Sequence, residues 1–223
     1  MGNGGYVSGL LAARVGGAAS VRLTAPAPLG KELRIVRAGE AVRLSDGDTL
    51  IAEARPAQLE LEVPAPPPFE GAERALQSFR GYEKHPYPRC FGCGPERTPG
   101  DGMRVFALPV QGTRASLTAA WTPDATLADE SGQVRAEFLW SAMDCPSGFA
   151  VVRDDGPPVV TGEMAARVER RPRAGELCMV IAWPIASEGR KHHAGSAVFS
   201  AGGELLALAR TLWIEISTKG KPS

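Results

Sequence analysis

Three stretches of this 223-residue chain carry residue types that can do chemistry. The first is "MGNGGYVSGLLAARVGG", where Asn3, Gly4 and Gly5 stand at the start of a segment with helical periodicity. A helix start offers unpaired backbone N–H groups and the positive end of the macrodipole, so a turn of small residues there can admit an anion or a polarised carbonyl. The same glycines also suit a frayed chain end. The second is Asp144 in "FLWSAMDCPSGFAV". Set among Trp140, Met143 and Phe149, its carboxylate would be partly desolvated and a stronger base, although an acid here equally suits capping of the turn at "CPSG". The third is the Cys90/Cys93 pair in "RCFGCG", which has the spacing of a zinc knuckle. A structural tetrahedral site needs four ligands. No second CxxC or histidine pair exists, and His85 with Cys145 or Cys178 completes a site only through the fold, so no metal is expected and the loop is read as a packed turn. Cys145 has no histidine beside it in sequence to activate it as a nucleophile. In "GRKHHAG", His192 and His193 would point to opposite faces of a strand, so at most one meets a site. Arg190 and Lys191 suit either phosphate groups or plain solvated surface.

The class of partner follows from charge. Lys plus Arg and Asp plus Glu number 25 each, which argues against a nucleic-acid or membrane-surface footprint. No apolar run approaches the roughly 20 residues of a spanning helix, and the start lacks a basic region followed by an apolar one. A soluble cytoplasmic protein with a small-molecule or protein partner is expected. Four cysteines without a secretion signal are read as reduced thiols.

Elements must position these residues. Residues 4–15 read as a helix stopped by Gly16-Gly17, followed by extended segments "SVRLTAP", "KELRIVRAG", "EAVRLSD" and "DTLIAEARPAQLELEV", with a hairpin at Asp46-Gly47. "VPAPPPFEG" (63–71) reads as a stiff linker and 72–83 as a short surface helix. After the Pro/Gly-rich "KHPYPRCFGCGPERTPGDG" come strands at 103–109 and 113–121, then a helix near 134–151 that Pro146 and Gly148 would bend or end. Four more strands close the chain, in "PVVTGEMAARVER", "ELCMVIAWPIA", "HHAGSAVFSA" and "GELLALARTLWIEI". "VRLSDGDTLIAEAR" (42–55) lies without a gap over "AVFSAGGELLALAR" (197–210), with the hairpin at the same place in both. The order of helix then meander therefore occurs twice.

That doubled order resembles the hotdog fold, in which an antiparallel sheet wraps a central helix. "NGGYVSGLLA" is similar to the helix start of acyl-CoA thioesterase-like proteins of this superfamily. "CFGCGPERTPGDGMRV" resembles the loop before their first strand, and "FLWSAMDCPSGFAV" their central helix with its acidic residue. The resemblance implies an α+β tandem (double) hotdog whose first copy lacks its leading strand. The units would be an incomplete one at 1–63, a linker with a short helix and the CxxC loop at 64–102, a complete one at 103–217 and a tail at 218–223.

The resemblance also implies a reaction. In such thioesterases a backbone N–H at one helix start polarises the thioester carbonyl, often with a nearby Asn or Gln, while a carboxylate on the partner helix attacks or activates water. Laying Tyr6 on Phe138 puts Gly4 and Gly5 over Ala136 and Glu137, and Ala12 over Asp144. One helix then supplies the turn and the other the acid, giving a single composite site. The implied roles are Asp144 as base or nucleophile, the Gly5 N–H as oxyanion donor helped by Asn3, and Thr161 positioning water. Gly4, Tyr6, Trp140, His192 and His193 would contact substrate. The substrate would be an acyl-CoA or acyl-carrier thioester and no cofactor is needed, coenzyme A entering as part of the substrate. A homodimer of double hotdogs through the remaining sheet edges is expected. Two rivals stay open. An enoyl-thioester hydratase or dehydratase would place His192 or His193 within reach of Asp144, and a noncatalytic acyl-CoA-binding hotdog would bind without turnover.

Overall fold

The computed structural model describes residues 1–78, 85–110, 116–152 and 156–216. Helix α1 spans Gly4–Val15, and the Asn3 side chain caps it by accepting a hydrogen bond from the Tyr6 amide, which satisfies one of the orphan donors of the first turn. It stops at Gly16, whose φ of +85° suits glycine. Strands β1 (Ala19–Leu23), β2 (Arg34–Ala38), β3 (Ala41–Asp46) and β4 (Thr49–Pro56) follow. The β3–β4 turn closes at Asp46 opposite Thr49, with Gly47 at positive φ.

The rest of the chain forms α2 (Phe69–Ser78), β5 (Leu108–Pro109), β6 (Leu117–Trp121), a 3-10 turn at Ala125–Leu127, α3 (Ala136–Phe149), β7 (Val159–Val168), β8 (Cys178–Glu188), β9 (Lys191–Ser200) and β10 (Leu205–Glu215). The ten strands among the described residues join one sheet in the order β2-β3-β4-β1-β7-β10-β9-β8-β6-β5. The β1–β7 pair is the seam, antiparallel with Val21 opposite Met164. Outward from it run β4, β3 and β2 on one side, and β10, β9 and β8 on the other, with β6 and β5 beyond β8.

Helices α1 and α3 pack against each other on one face of this sheet. Their buried residues join those of the strands in a common core: Leu11, Leu139 and Met143 meet Val21, Ile51, Met164 and Val198. The opposite face of the second half is covered too. Leu59, Phe69 and Leu76 pack there against Trp183, Phe199 and Leu208.

Several expectations shift. The extended run expected through residue 63 leaves the sheet at Pro56, because Leu59, Leu61 and Val63 find apolar partners on the outer face. The helix expected over 72–83 begins at Phe69, inside the expected linker, and residues 79–83 lie outside the described residues. Of 103–109 only Leu108–Pro109 is strand. Met103 and Val105 instead donate backbone hydrogen bonds to the carbonyls of Phe91 and Gly92, 2.9 Å each, so this segment stitches down the CxxC loop. In the 113–121 segment, β6 starts at Leu117, and 113–115 lie outside the described residues. Pro146 does not end α3, which continues to Phe149.

Candidate active site

Asp144 lies in the middle of α3, and its carboxylate turns away from its own helix toward the start of α1. Oδ2 accepts from the Gly5 amide and from Asn3 Nδ2, each at 3.0 Å, and Oδ1 accepts from Thr161 Oγ1 at 2.9 Å. Asn3 is itself pinned: its Oδ1 takes the Tyr6 amide at 2.8 Å and the Ser141 hydroxyl at 2.9 Å. This rules out the capping alternative for Asp144, since the "CPSG" turn is held instead by Ser147 Oγ donating to the Asp144 carbonyl at 2.8 Å.

Close approach of the two helices makes these bonds possible, and glycines permit it. A Cβ on Gly5 would stand 2.6 Å from the Trp140 carbonyl oxygen and from Asp144 Cβ. One on Gly9 would stand 2.4 Å from Glu137 Cα, and one on Gly4 2.6 Å from Thr161 Oγ1. The space these glycines free is filled by protein: α3 at positions 5 and 9, and Thr161 at position 4.

Thr161 reaches the carboxylate through a bulge in β7. Leu212 pairs with Glu163 but the next residue, Trp213, pairs with Thr161, so Gly162 is the extra residue. Below the bulge Met164 and Ala166 face the helices. Above it the alternation switches, and Thr161 points inward in their place. A strict period of two would have turned it to the other face.

Asp144 is only 3% exposed. Burial pushes its carboxyl up to about 6, against the pull of the hydrogen bonds from Gly5, Thr161 and Asn3. Such a group is poised to exchange a proton near neutral pH.

The remaining candidates are placed as follows. Tyr6 packs its ring on Phe138 and Phe91, with centroids 5.5 and 5.9 Å away. Trp140 is a core residue that also borders a cleft of about 470 Å³ with Ala12, Ala13, Gln133 and Ala136. A second cleft of about 540 Å³ lies between α2 and the residues around Met103 and Trp121. Asp144 lines neither. His192 is buried, with Nδ1 2.9 Å from Ser187 Oγ and Nε2 3.0 Å from Glu215 Oε1. Both its ring nitrogens are thus committed away from Asp144. His193 shares the outward face of β9 with Phe199. Arg190 donates to the Glu215 carbonyl.

Two groups absent from the expected site join its border. Ser141 anchors Asn3, one helical turn before Asp144, a spacing the sequence contains. The CxxC loop also packs here, with Cys90 Sγ 3.5 Å from Cys145 Sγ and Cys93 Sγ 3.4 Å from His85 Nε2. Cys90 and Cys145, 55 positions apart in the chain, meet here, which no local pattern signals.

No family model matches the chain, and no curated protein matches it in sequence. Solved structures do. The tesB protein of Mycobacterium avium subs paratuberculosis superposes with a TM-score of 0.59 at 15% identity, over 96% of this chain and 87% of that one. An acyl-CoA thioesterase II, TesB2, from Mycobacterium marinum superposes with a TM-score of 0.56 at 14% identity, over 92% of this chain and 82% of its own. The chain therefore has the α+β hotdog fold of these proteins.

Proposed function

We propose that this chain is a thioesterase that hydrolyses an acyl-CoA or acyl-carrier thioester at one composite site, with Asp144 as its general base. The observation that carries this reading is the grip on one buried carboxylate by three donors from two elements: Asn3 and Gly5 at the start of α1, and Thr161 on β7. On this reading the chain is a tandem of two hotdog modules, the first without a leading strand, and each module supplies what the other lacks. The structural neighbour named an acyl-CoA thioesterase II supports the substrate class. A homodimer through the free sheet edges and cytoplasmic residence belong to the same proposal. Among the described residues, no helix is long and apolar enough to cross a membrane.

The chemistry runs as follows. Asp144 takes a proton from water as the water oxygen attacks the thioester carbonyl carbon. The carbonyl oxygen becomes an oxyanion and takes over the Gly5 N–H, a preorganised donor worth a few kcal/mol in a dry site. Asn3 and Thr161 keep hold of the carboxyl group. The C–S bond then breaks, Asp144 returns the proton to the departing thiolate, and the acid and the thiol leave. Since the Gly5 amide rests on Asp144 before substrate arrives, binding must part the first turn of α1 from α3, and the amide exchanges one anion for another.

Asp144→Asn tests the reading cleanly. The new amide oxygen can accept from Gly5 and Asn3, and its NH2 can donate to Thr161 Oγ1, so the network survives. Hydrolysis across a panel of acyl-CoA lengths should fall by about 10²- to 10⁴-fold. Turnover at the wild-type rate would remove Asp144 from the reaction. A second reading draws on the 3% exposure of Asp144: a noncatalytic acyl-binding module in which the carboxylate only clasps two helices. Binding of acyl-CoA by the wild-type chain with no hydrolysis at any length would favour it. The hydratase reading lacks its marker, because the Asp144 oxygens are partnered by Gly5, Asn3 and Thr161 and His192 is engaged by Ser187 and Glu215.

A further inference from the structure

We propose that Cys90, Cys93 and Cys145, with His85 as fourth ligand, form a zinc site that clamps the CxxC loop to α3. The three sulfur atoms all lie within 4.8 Å of one another. With Zn–S bonds of about 2.3 Å, a tetrahedral site has S···S edges of roughly 3.8 Å, and the Cys90–Cys145 edge is 3.5 Å. A Zn–N bond of about 2.0 Å makes the S···N edge roughly 3.5 Å, and Cys93 Sγ to His85 Nε2 is 3.4 Å. His85 stands outside that group of three and touches it only at Cys93, so on this proposal its imidazole swings toward Cys90 and Cys145 as the metal binds.

The local backbone is built to gather sulfur. Gly94 donates to the Cys90 carbonyl at 2.9 Å and Cys90 to the Tyr87 carbonyl at 2.8 Å, which closes the CxxC turn with both thiols on one side. Gly94 has to be glycine, since a Cβ there would meet Cys90 N, Cys90 O and Pro88 O at 2.6 Å. Asn3 Nδ2 approaches Cys90 and Cys145 Sγ at 3.9 and 3.8 Å. Donors directed at sulfur are the outer-shell support a metal thiolate uses. Thiolates with one imidazole select zinc-like ions over hard cations.

Loading has a definite proton balance. Each ligating thiol releases its proton to solvent. His85 Nδ1 accepts the Tyr87 amide at 3.0 Å, so in the neutral ring the proton sits on Nε2. Metal binding at Nε2 transfers that proton to Nδ1 and breaks the Tyr87 bond. A Cys90–Cys145 disulfide, the competing fate of these thiols, would need an oxidant and would leave Cys93 and His85 without a role.

The test uses the full chain, purified without chelators and analysed for bound zinc, then stripped and loaded with cobalt. The wild-type chain should hold one zinc per chain, and its cobalt form should show thiolate-to-cobalt charge-transfer absorption. Cys93→Ser should hold less zinc by more than about tenfold. Three results overturn the proposal: no zinc and no charge-transfer band in the wild-type chain, equal zinc in Cys93→Ser, or a Cys90–Cys145 disulfide recovered from the native protein. The wild-type cobalt spectrum decides the question even if the variant fails to fold.

Discussion

A carboxyl group that accepts three hydrogen bonds ordinarily becomes more acidic, and Asp144 does the opposite because its burial outweighs them. The proposed base works only when ionised, so kcat/KM should be level above about pH 6 and fall tenfold per unit below it. A profile flat down to pH 4.5 would remove that role. Stability moves the other way. The folded pKa of about 6 lies above the ordinary carboxylate value of 3.8, so the native state binds this proton more tightly than the unfolded chain does. Its contribution is complete below about pH 4 and is lost as pH rises through about 6. Asp144→Asn never ionises, so its stability relative to wild type should grow between pH 4.5 and 8, by roughly 2 kcal/mol, in paired urea titrations. Part of this site was legible in sequence, as an Asn and glycines at a helix start and an acid inside an apolar helix, while Thr161 entered only through the family resemblance. The resting partner of the Gly5 amide was not, since nothing in the local sequence indicates which anion an orphan N–H will meet.

At the scale of elements, glycine sets how closely α1 and α3 approach. Gly5 was expected to admit substrate to the backbone, whereas the surface that fills its space at rest is α3. Gly9, one turn later, belongs to the same seam. Gly9→Ala should destabilise the fold by about 1–3 kcal/mol, despite the better helix propensity of alanine. Gly71→Ala on α2, where a Cβ meets nothing within 4 Å, should be neutral or stabilising by up to about 1 kcal/mol. Thermal melts of the two variants check the contrast, and equal behaviour would mean the helices do not touch at Gly9. The bulge at Gly162 was similarly hidden. "VVTGEMAARV" reads as one strand, and only pairing with β10 reveals that its facing changes between Thr161 and Met164.

For the molecule as a whole, the matching segments 42–55 and 197–210 foretold the β3–β4 and β9–β10 hairpins, which stand at equivalent distances from the β1–β7 seam. Long-range contacts were out of reach: the fold-back of residues 57–63 and the meeting of Cys90 with Cys145 depend on surfaces created only once the sheet exists. Because α1, α3 and strands from both halves share one core, the halves should not melt separately. Leu11→Ala, at a fully buried position, should cost about 2–5 kcal/mol and shift one cooperative transition in calorimetry. A variant whose first half melts ahead of the second would refute that coupling.

Ala12 occupies on α1 the place that Asp144 holds on α3, and it borders the open cleft beside Ala136 and Gln133. On the proposed reading, a pair of identical subunits would duplicate the reactive centre, whereas this chain carries one. Inhibitor titrations should therefore saturate at a single equivalent per polypeptide, and the unused half is free to drift toward other ligands without penalty to turnover.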